Sequence, residues 1–307
     1  MTGTVDTTMP NAAAPRGVLA GSAMLTGSGL SNQLGAAIGA LAFDSLGTAG
    51  VIAVRQLVSA AILLPVARPR LRSFTWTQWW PALLLGLVLA TMNLSLYAAV
   101  DRIGLGLAVT LEFLGPLAVA LSSSRTRADL LLAAGAAVGV YVLLLPDGSS
   151  DLLGYAFGLL AACCWASYIL LNRMLGGRLT GLQAPATATL VSSLLTLPIT
   201  VQLIADGKFL GWPLLLAALS GLLCSVIPYS IDIIALRWVT TRFFGVFMSI
   251  NPMFAALAGV VVLGQVPVTH EWVGMAMIVG VNAVAVSRGL RGGRSTEETR
   301  RDAGGAQ

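Results

Sequence analysis

Residues Ala108–Leu121 read AVTLEFLGPLAVAL, an apolar run with a carboxylate at Glu112 and a proline at position 116. A proline in a helix leaves the carbonyl four residues earlier without its N–H donor, and here that carbonyl belongs to Glu112. Gly115 allows another helix to approach closely beside the break. Such a helix is tolerated in a bilayer where protein or a cavity satisfies the freed group, and an ionisable residue there is a candidate for function.

The composition of the chain is typical of a protein embedded in a lipid bilayer. Hydrophobic residues are 56% of the 307 residues, charged residues are only 10%, and the mean hydropathy is +0.84. Apolar windows recur at the length of about 20 residues that a membrane-spanning helix needs. The sequence therefore predicts an all-α polytopic membrane protein, with helices at residues 17–40, 46–67, 79–100, 103–122, 129–146, 152–172, 182–204, 210–233, 243–264 and 270–288.

The position of the basic residues predicts the orientation. If the N-terminus is cytoplasmic, every Lys and Arg in the loops and tails lies on the cytoplasmic side except Arg102 and Lys208, while Arg55 falls inside a predicted helix. The net charge of +5 therefore indicates a membrane protein rather than a nucleic-acid partner. We predict a multi-pass membrane protein, with cytoplasmic tails at 1–16 and 289–307 and with the C-terminal tail touching anionic lipid.

The chain shows no motif of an enzyme or of a metal or cofactor site. His270 is the single histidine, and the three cysteines lack disulfide or zinc spacing. H-E-x-x-H, G-x-S-x-G and phosphate-loop patterns are absent, so neither an enzyme nor intrinsic ATP drive is expected. A membrane-embedded enzyme and a scaffold remain as the disfavoured alternatives from other functional classes.

The chain repeats itself at a shift of 136 residues. Ala99–Pro116 and Ala235–Pro252 align without a gap, and each contains a helix end, a tight connection and a proline-interrupted helix. Repeats at 17–147 and 148–288 would hold five helices each, and an odd number requires the two halves to insert upside down relative to each other. Inverted repeats with interrupted helices are typical of secondary transporters whose site lies between the halves near mid-membrane.

The same stretches resemble a known family. Thr110–Leu121 is similar to the fourth helix of the bacterial threonine/homoserine exporters, which belong to the drug/metabolite transporter superfamily and are built from EamA repeats. Cys164–Leu170 (CWASYIL), Ile227–Leu236 (IPYSIDIIAL) and Thr241–Pro252 agree with it in the same order along the chain. The resemblance implies ten helices as two EamA repeats and proton-linked efflux of small amino acids.

The chain departs from this resemblance at three positions. Asn251 and Gln265 stand where acids are expected in such exporters, and Asp232 is shorter than the expected glutamate. Secondary active export of threonine- or homoserine-like amino acids by alternating access is the leading hypothesis. An EamA exporter of another metabolite, such as a nucleobase, a drug or a peptide-like compound, is the alternative.

Three charged residues fall inside the apolar windows: Arg55, Glu112 and Asp232. An unpaired charge at the centre of a bilayer costs about 2.5 to 3.5 kcal/mol on insertion scales, so partners are expected. In one interpretation Glu112 meets a substrate ammonium or a proton while Arg55 neutralises a substrate carboxylate. In the other, Arg55 and Glu112 form a structural ion pair. The three residues together carry a net charge of −1, which a single proton would cancel, so the charge balance is compatible with proton exchange.

Polar and aromatic residues at helical spacing are candidates to line a solute path. The candidates are Ser31, Asn32, Asn93, Tyr97, Trp165, Tyr168 and Tyr229, which join Arg55, Glu112 and Asp232. Hydrogen bonding between helices is the structural alternative for each polar residue. Gly115, Pro116, Asn251 and Pro252 are candidate hinges, with a static kink filled by neighbours as the alternative.

Overall fold

The computed structural model describes residues 15–122, 127–143, 145, 151–179, 181–235 and 247–285. All regular structure within these residues is helical. The α-helices are α1 (Pro15–Ala40), α2 (Phe43–Ala67), α3 (Trp76–Ile103), α4 (Leu105–Glu112), α5 (Leu114–Ser122), α6 (Arg127–Leu143), α7 (Leu152–Gly176), α8 (Gln183–Leu195), α9 (Leu197–Ala205), α10 (Trp212–Gly221), α11 (Ile227–Ala235), α12 (Asn251–Leu263) and α13 (269–285).

Each of the ten predicted segments coincides with helix in the described residues. Three are divided, because α4 gives way to α5 at Phe113, α8 gives way to α9 at Thr196, and the π-helical turn Leu222–Val226 separates α10 from α11. The parts predicted at 144, 146, 243–246 and 286–288 lie outside the described residues, as do the tails except for Pro15 and Arg16, which begin α1. That all ten segments cross a membrane stays a prediction.

Several helices in the described part of the chain are long and apolar enough to span a bilayer. They are Phe43–Ala67, Trp76–Ile103, Leu105–Ser122, Leu152–Gly176 and Trp212–Ile231, and α8 with α9 forms a further apolar pair bent by 49°. Large apolar side chains such as Leu131 and Val261 are more than 70% exposed. Such surface is costly in water, and it is consistent with a lipid-facing exterior.

Three prolines stand just after helix breaks, whereas Pro65 and Pro81 lie inside α2 and α3. Pro116 is the third residue of α5, and Pro198 and Pro252 are each the second residue of α9 and α12. The first turn is where a proline costs little, because its missing N–H would have no intrahelical acceptor there. A one-residue connection at Gly104, whose φ of 82° favours glycine, joins α3 to α4.

Helix contacts follow the shift of 136 residues found in the sequence. At that shift α1 corresponds to α7, α2 to α8 with α9, and α3 to α10 with α11. Accordingly, α3 packs on α7 as α11 packs on α1, and α3 packs on α8 as α10 packs on α2. Similarly, α7 contacts α4 and α5, while α1 contacts α12. Helices α2 and α8 meet each other directly.

The start of α7 is fixed by a polar cap. Asp151 accepts a hydrogen bond from the Gly154 N–H at 2.9 Å and pairs with the Arg102 guanidinium at 2.8 Å. These two interactions, the first being the larger, hold the pKa of the Asp151 carboxyl below its ordinary value. The pair ties the end of α3 to the beginning of α7.

Candidate functional site

A cavity of about 500 Å³ lies between the helices. Residues from both predicted halves line it, since α1 to α5 contribute one side and α7, α8, α11 and α13 much of the other. The segment around the Met248–Asn251 turn completes the wall. A volume of this size is typical of small-molecule sites.

Most of the residues selected from the sequence meet at this cavity. Those on its wall are Arg55, Glu112, Asn32, Asn93, Trp165, Tyr168, Tyr229, Pro116 and Asn251. Ser31, Tyr97, Gly115 and Pro252 are not on the wall, and the side chain of Asp232 lies outside the described part of the structure. The residues selected from the sequence that meet here therefore come from eight helices, α1 to α5, α7, α11 and α12.

The two opposite charges on the wall do not pair with each other. Arg55 and Glu112 are both buried, yet the only ion pair formed among the described residues joins Arg102 to Asp151. Nor does any described residue hydrogen-bond to the Glu112 carboxyl or to the Arg55 Nε. The structural ion pair considered from the sequence is therefore not formed. A separated cation and anion on one cavity are complementary to a zwitterion.

Arg55 rests against an aromatic ring that lies behind the cavity wall. Its Cζ is 5.4 Å from the centroid of the Tyr97 ring, within the range of a cation–π interaction. The Tyr97 hydroxyl lies 3.0 Å from the Ser220 hydroxyl, and a Cβ at Gly39 would come within 3.0 Å of that Tyr97 oxygen. The ring is thus held between α1 and α10, behind Arg55 and off the cavity wall.

Ser31 also belongs to the helix packing. Its hydroxyl donates to the Leu223 carbonyl at 2.8 Å, and the Cys224 thiol contacts the Asn32 carbonyl at 3.1 Å. Both acceptor and thiol belong to the π-helical turn Leu222–Val226 that joins α10 to α11. This turn brings Cys224 and Ser225 to the cavity wall.

Several buried polar residues on the wall were not selected from the sequence. Gln33, Gln56, Thr189, Ser249 and Asn282 all line the cavity. The Gln56 Oε1 and Asn282 Oδ1 atoms have no hydrogen-bond partner among the described residues. Gln56 directly follows Arg55, and helical spacing of three or four residues does not link adjacent positions. Asn282 is an isolated amide in an apolar helix. A lone polar residue in such a helix is a sequence signal for a buried hydrogen-bonding site.

The candidate hinge residues are closely packed. A Cβ at Gly115 would come 2.3 Å from the Ala162 carbonyl oxygen of α7, so only glycine fits there without a shift. Asn251 donates to the Met248 sulfur at 3.2 Å, and a Cβ at Gly29 would lie 2.7 Å from the Asn251 Oδ1. These contacts favour close helix packing at both breaks, while movement during transport stays a prediction.

Gln265 is not on the cavity wall and forms a hydrogen bond with the start of α4. Its Oε1 accepts a hydrogen bond of 2.9 Å from the Leu105 N–H, which is the first N–H of α4. A side-chain acceptor at this place satisfies a donor that has no partner within its own helix. Gln265 therefore connects the loop after α12 to the start of α4, the helix that carries Glu112.

Many wall residues form pairs separated by 136 positions. The pairs are Asn32 with Tyr168, Gln33 with Ile169, Leu89 with Ser225, Met92 with Pro228, Asn93 with Tyr229, Glu112 with Met248 and Phe113 with Ser249. Equivalent positions of the two predicted repeats thus face one cavity. Such pairing is expected when a site lies on the pseudo-symmetry axis between repeats.

Comparison with known proteins agrees with this arrangement. Residues 152–286 match the EamA-like transporter family. The threonine/homoserine exporter RhtA of Salmonella typhimurium (strain SL1344) is 37% identical over 238 residues, which cover 76% of this chain and 80% of that protein. RhtA of Escherichia coli (strain K12) has the same identity and coverage.

The fold also has a counterpart among solved structures. One crystal structure aligns with 88% of this chain and 98% of its own chain at a TM-score of 0.57, and its sequence is 21% identical. The resemblance found in the sequence is confirmed, and the protein is a multi-pass membrane protein of bacterial type whose relatives are exporters. The chain belongs to the EamA-like transporter family, as a RhtA-like member of the drug/metabolite transporter superfamily.

Proposed function

We propose that this protein exports small amino acids of the threonine and homoserine kind across the bacterial inner membrane. It does so as a secondary active transporter with both termini in the cytoplasm, and it works by alternating access coupled to protons. The named activity of its relatives supports the substrate class, since they are threonine/homoserine exporters.

The observation that carries the proposal is the separation of Arg55 and Glu112 on one buried cavity wall. Burying a charge without a partner is costly, so both groups require counter-charges in at least one state of the cycle. A zwitterionic amino acid supplies them at once, with its carboxylate toward Arg55 and its ammonium toward Glu112. A solute of the same size without charged groups would pair with neither Arg55 nor Glu112.

The surroundings of the Glu112 carboxyl support proton coupling. Glu112 is buried, and no described residue donates a hydrogen bond to its carboxyl. A proton neutralises the carboxyl in the empty site, and a substrate ammonium displaces that proton when it binds. Exchange of one proton for one amino acid across the membrane then drives export by the proton gradient.

Alternating access is supported by the two sets of broken helices. α4 and α5 meet at Phe113, α12 begins at the Met248–Asn251 turn, and both breaks touch the cavity. Discontinuous helices at corresponding positions of inverted repeats are the elements that surround substrates in many secondary transporters. The repeats at 17–147 and 148–288 would rock against each other around this fixed site.

The test is transport by the purified protein in proteoliposomes. Labelled threonine and homoserine are compared with a panel of nucleobases, with and without an imposed pH gradient. We expect saturable amino-acid flux that increases when the gradient is applied. Absence of amino-acid flux, with normal reconstitution, would refute the proposed substrate class.

A second candidate function is export of a larger metabolite of another class. The cavity volume of about 500 Å³ favours it, because sites of this size accommodate drug-sized molecules. Saturable nucleobase or drug flux without amino-acid flux in the same assay would establish this alternative.

A further inference from the structure

We propose that the two halves of the cavity wall recognise different parts of the substrate. The first half, from α1 to α5, holds the ammonium and carboxylate groups, while the second half, from α7 onward, selects the side chain. This inference rests on the proposed export of amino acids, and it assigns selectivity to Ile169 and its neighbours on α7.

Among the wall residues that the structure describes, the charged ones come from one half only. Arg55 and Glu112 both belong to the first half, and the positions 136 residues later are Val191 and Met248, which carry no charge. An amino acid has charged groups only in the head that all amino acids share. Because a buried charge needs an opposite charge or strong hydrogen bonds, this head faces the first half.

Amides on the first half are replaced by larger, less polar groups on the second. Asn32 corresponds to Tyr168, Gln33 to Ile169 and Asn93 to Tyr229, and all six residues line the cavity. The amide groups can donate and accept hydrogen bonds to a charged head, whereas the rings and the branched aliphatic chain offer an apolar surface. The substrate side chain is therefore expected to pack against α7 and α11.

The second half nevertheless offers neutral hydrogen-bonding groups. Ser225 and Ser249 line the cavity at positions where the first half has Leu89 and Phe113. Trp165 also lines the cavity, with its ring edge-on to Phe113 and the centroids 4.5 Å apart. Thr189, Asn251 and Asn282 add further neutral polar groups to this half. A wall that combines apolar surface with neutral hydrogen-bonding groups suits a short side chain that bears a hydroxyl, as threonine and homoserine do.

Ile169 offers the clearest test because it has a matched partner and a matched control. It is half-buried on the cavity wall, and Gln33 occupies the equivalent position of the first half. Ile204 on α9 is 56% exposed, so Ile204→Ala makes the same chemical change away from the cavity. One methylene in a pocket is worth about 10- to 200-fold in selectivity.

The experiment measures initial flux in proteoliposomes for three substrates: threonine, leucine and threoninamide, whose carboxylate is replaced by a neutral amide. We expect Ile169→Ala to raise the leucine-to-threonine flux ratio about tenfold while leaving the threonine-to-threoninamide ratio within about twofold. Gln33→Ala should lower leucine and threonine flux together and reduce the preference for threonine over threoninamide about fivefold. Ile204→Ala should change neither ratio.

The result that overturns the division is a leucine-to-threonine ratio that Ile169→Ala leaves unchanged or that Gln33→Ala changes as much. If the Ile169→Ala variant fails to insert, Ile169→Val is used in its place. We expect Ile169→Val to raise the leucine-to-threonine flux ratio about threefold. Wild-type flux is measured first and separates the two hypotheses. A wild type that transports no amino acid refutes the proposed function, whereas an active wild type with unaltered selectivity in the Ile169 variants refutes the division alone.

Discussion

The Cζ atom of Arg55 lies 5.4 Å from the centre of the Tyr97 ring, and that ring is held in place by a 3.0 Å contact between its hydroxyl and the Ser220 hydroxyl. The cation on the cavity wall is thus supported from behind by a residue that does not touch the cavity. Substitutions at Tyr97 should consequently alter substrate binding through Arg55.

Tyr97→Leu removes the ring and should raise the apparent KM for threonine about 2- to 30-fold, because a cation–π interaction contributes about 0.5 to 2 kcal/mol. Tyr97→Phe keeps the ring and removes the hydroxyl, which contacts both Ser220 and Arg55, so a smaller rise is expected. The measurement is concentration-dependent flux in proteoliposomes. Equal effects of the two substitutions would show that the hydroxyl, not the ring, supports Arg55.

Glu112→Gln removes the carboxyl that is proposed to exchange a proton for the substrate ammonium. We expect threonine counterflow to weaken about tenfold or more and the remaining flux to lose its response to a pH gradient. Glu112→Asp, which preserves the charge, should retain the pH response at a reduced rate. Full gradient-driven transport by the glutamine variant would make Glu112 a structural residue.

Gly115→Ala should destabilise the protein by about 1 to 3 kcal/mol, because its Cβ would come 2.3 Å from the Ala162 carbonyl oxygen. Gly176→Ala is the matched control, since no atom lies within 4 Å of the added Cβ at the end of α7. Thermal unfolding in detergent compares the two variants with the wild type. Equal unfolding temperatures would mean that α5 and α7 separate readily at this contact.

Pro116→Ala tests movement at the same break. Pro116 stands in the first turn of α5, where a proline is tolerated in a static structure, so a static kink predicts transport near the wild-type rate. Near-complete loss of transport with normal insertion would favour the hinge. Flux and unfolding temperature must both be measured for the Pro116→Ala variant. Loss of flux at an unchanged unfolding temperature indicates lost movement, whereas a lowered unfolding temperature indicates lost packing.

Asp151 should make a pH-dependent contribution to stability. Its pKa is lowered first by the Gly154 N–H and then by Arg102, so the carboxylate stabilises the folded state above the unfolded-state pKa of about 3.9. This contribution is lost as the pH falls through the lower folded-state pKa. The difference in unfolding temperature between the wild type and Asp151→Asn should therefore be constant from pH 8 to about pH 5 and shrink in stronger acid. A difference that grows on acidification would contradict this assignment.

The sequence predicted the helices and much of the cavity, because both depend on features that one chain displays. Apolar windows and the proline at 116 located the helix that carries Glu112, and the shift of 136 residues indicated where equivalent residues would meet. Spacing could not decide which member of a polar face turns toward the cavity. Ser31 and Asn32 are neighbours on α1, yet only Asn32 lines the wall while Ser31 binds the Leu223 carbonyl.

Other features depend on contacts between distant helices and were not predictable. The π-helical turn at Leu222–Val226 has no simple sequence signal, although it places Cys224 against the Asn32 carbonyl. Likewise, the pairing of Arg55 with Glu112 was plausible from charge alone. Only the relative placement of α2 and α4 shows that the two charges remain apart.

The unequal walls of the cavity have a consequence for the evolution of the gene. A protein assembled from two copies of the first half would place two guanidinium and two carboxylate groups around one solute. One assembled from two copies of the second half would place none there among the described wall positions. Neither half could replace the other, so a homodimer of one half would not reproduce this protein. Under the proposed division of the wall, a chain shortened to either half would lack one of the two surfaces that the substrate requires.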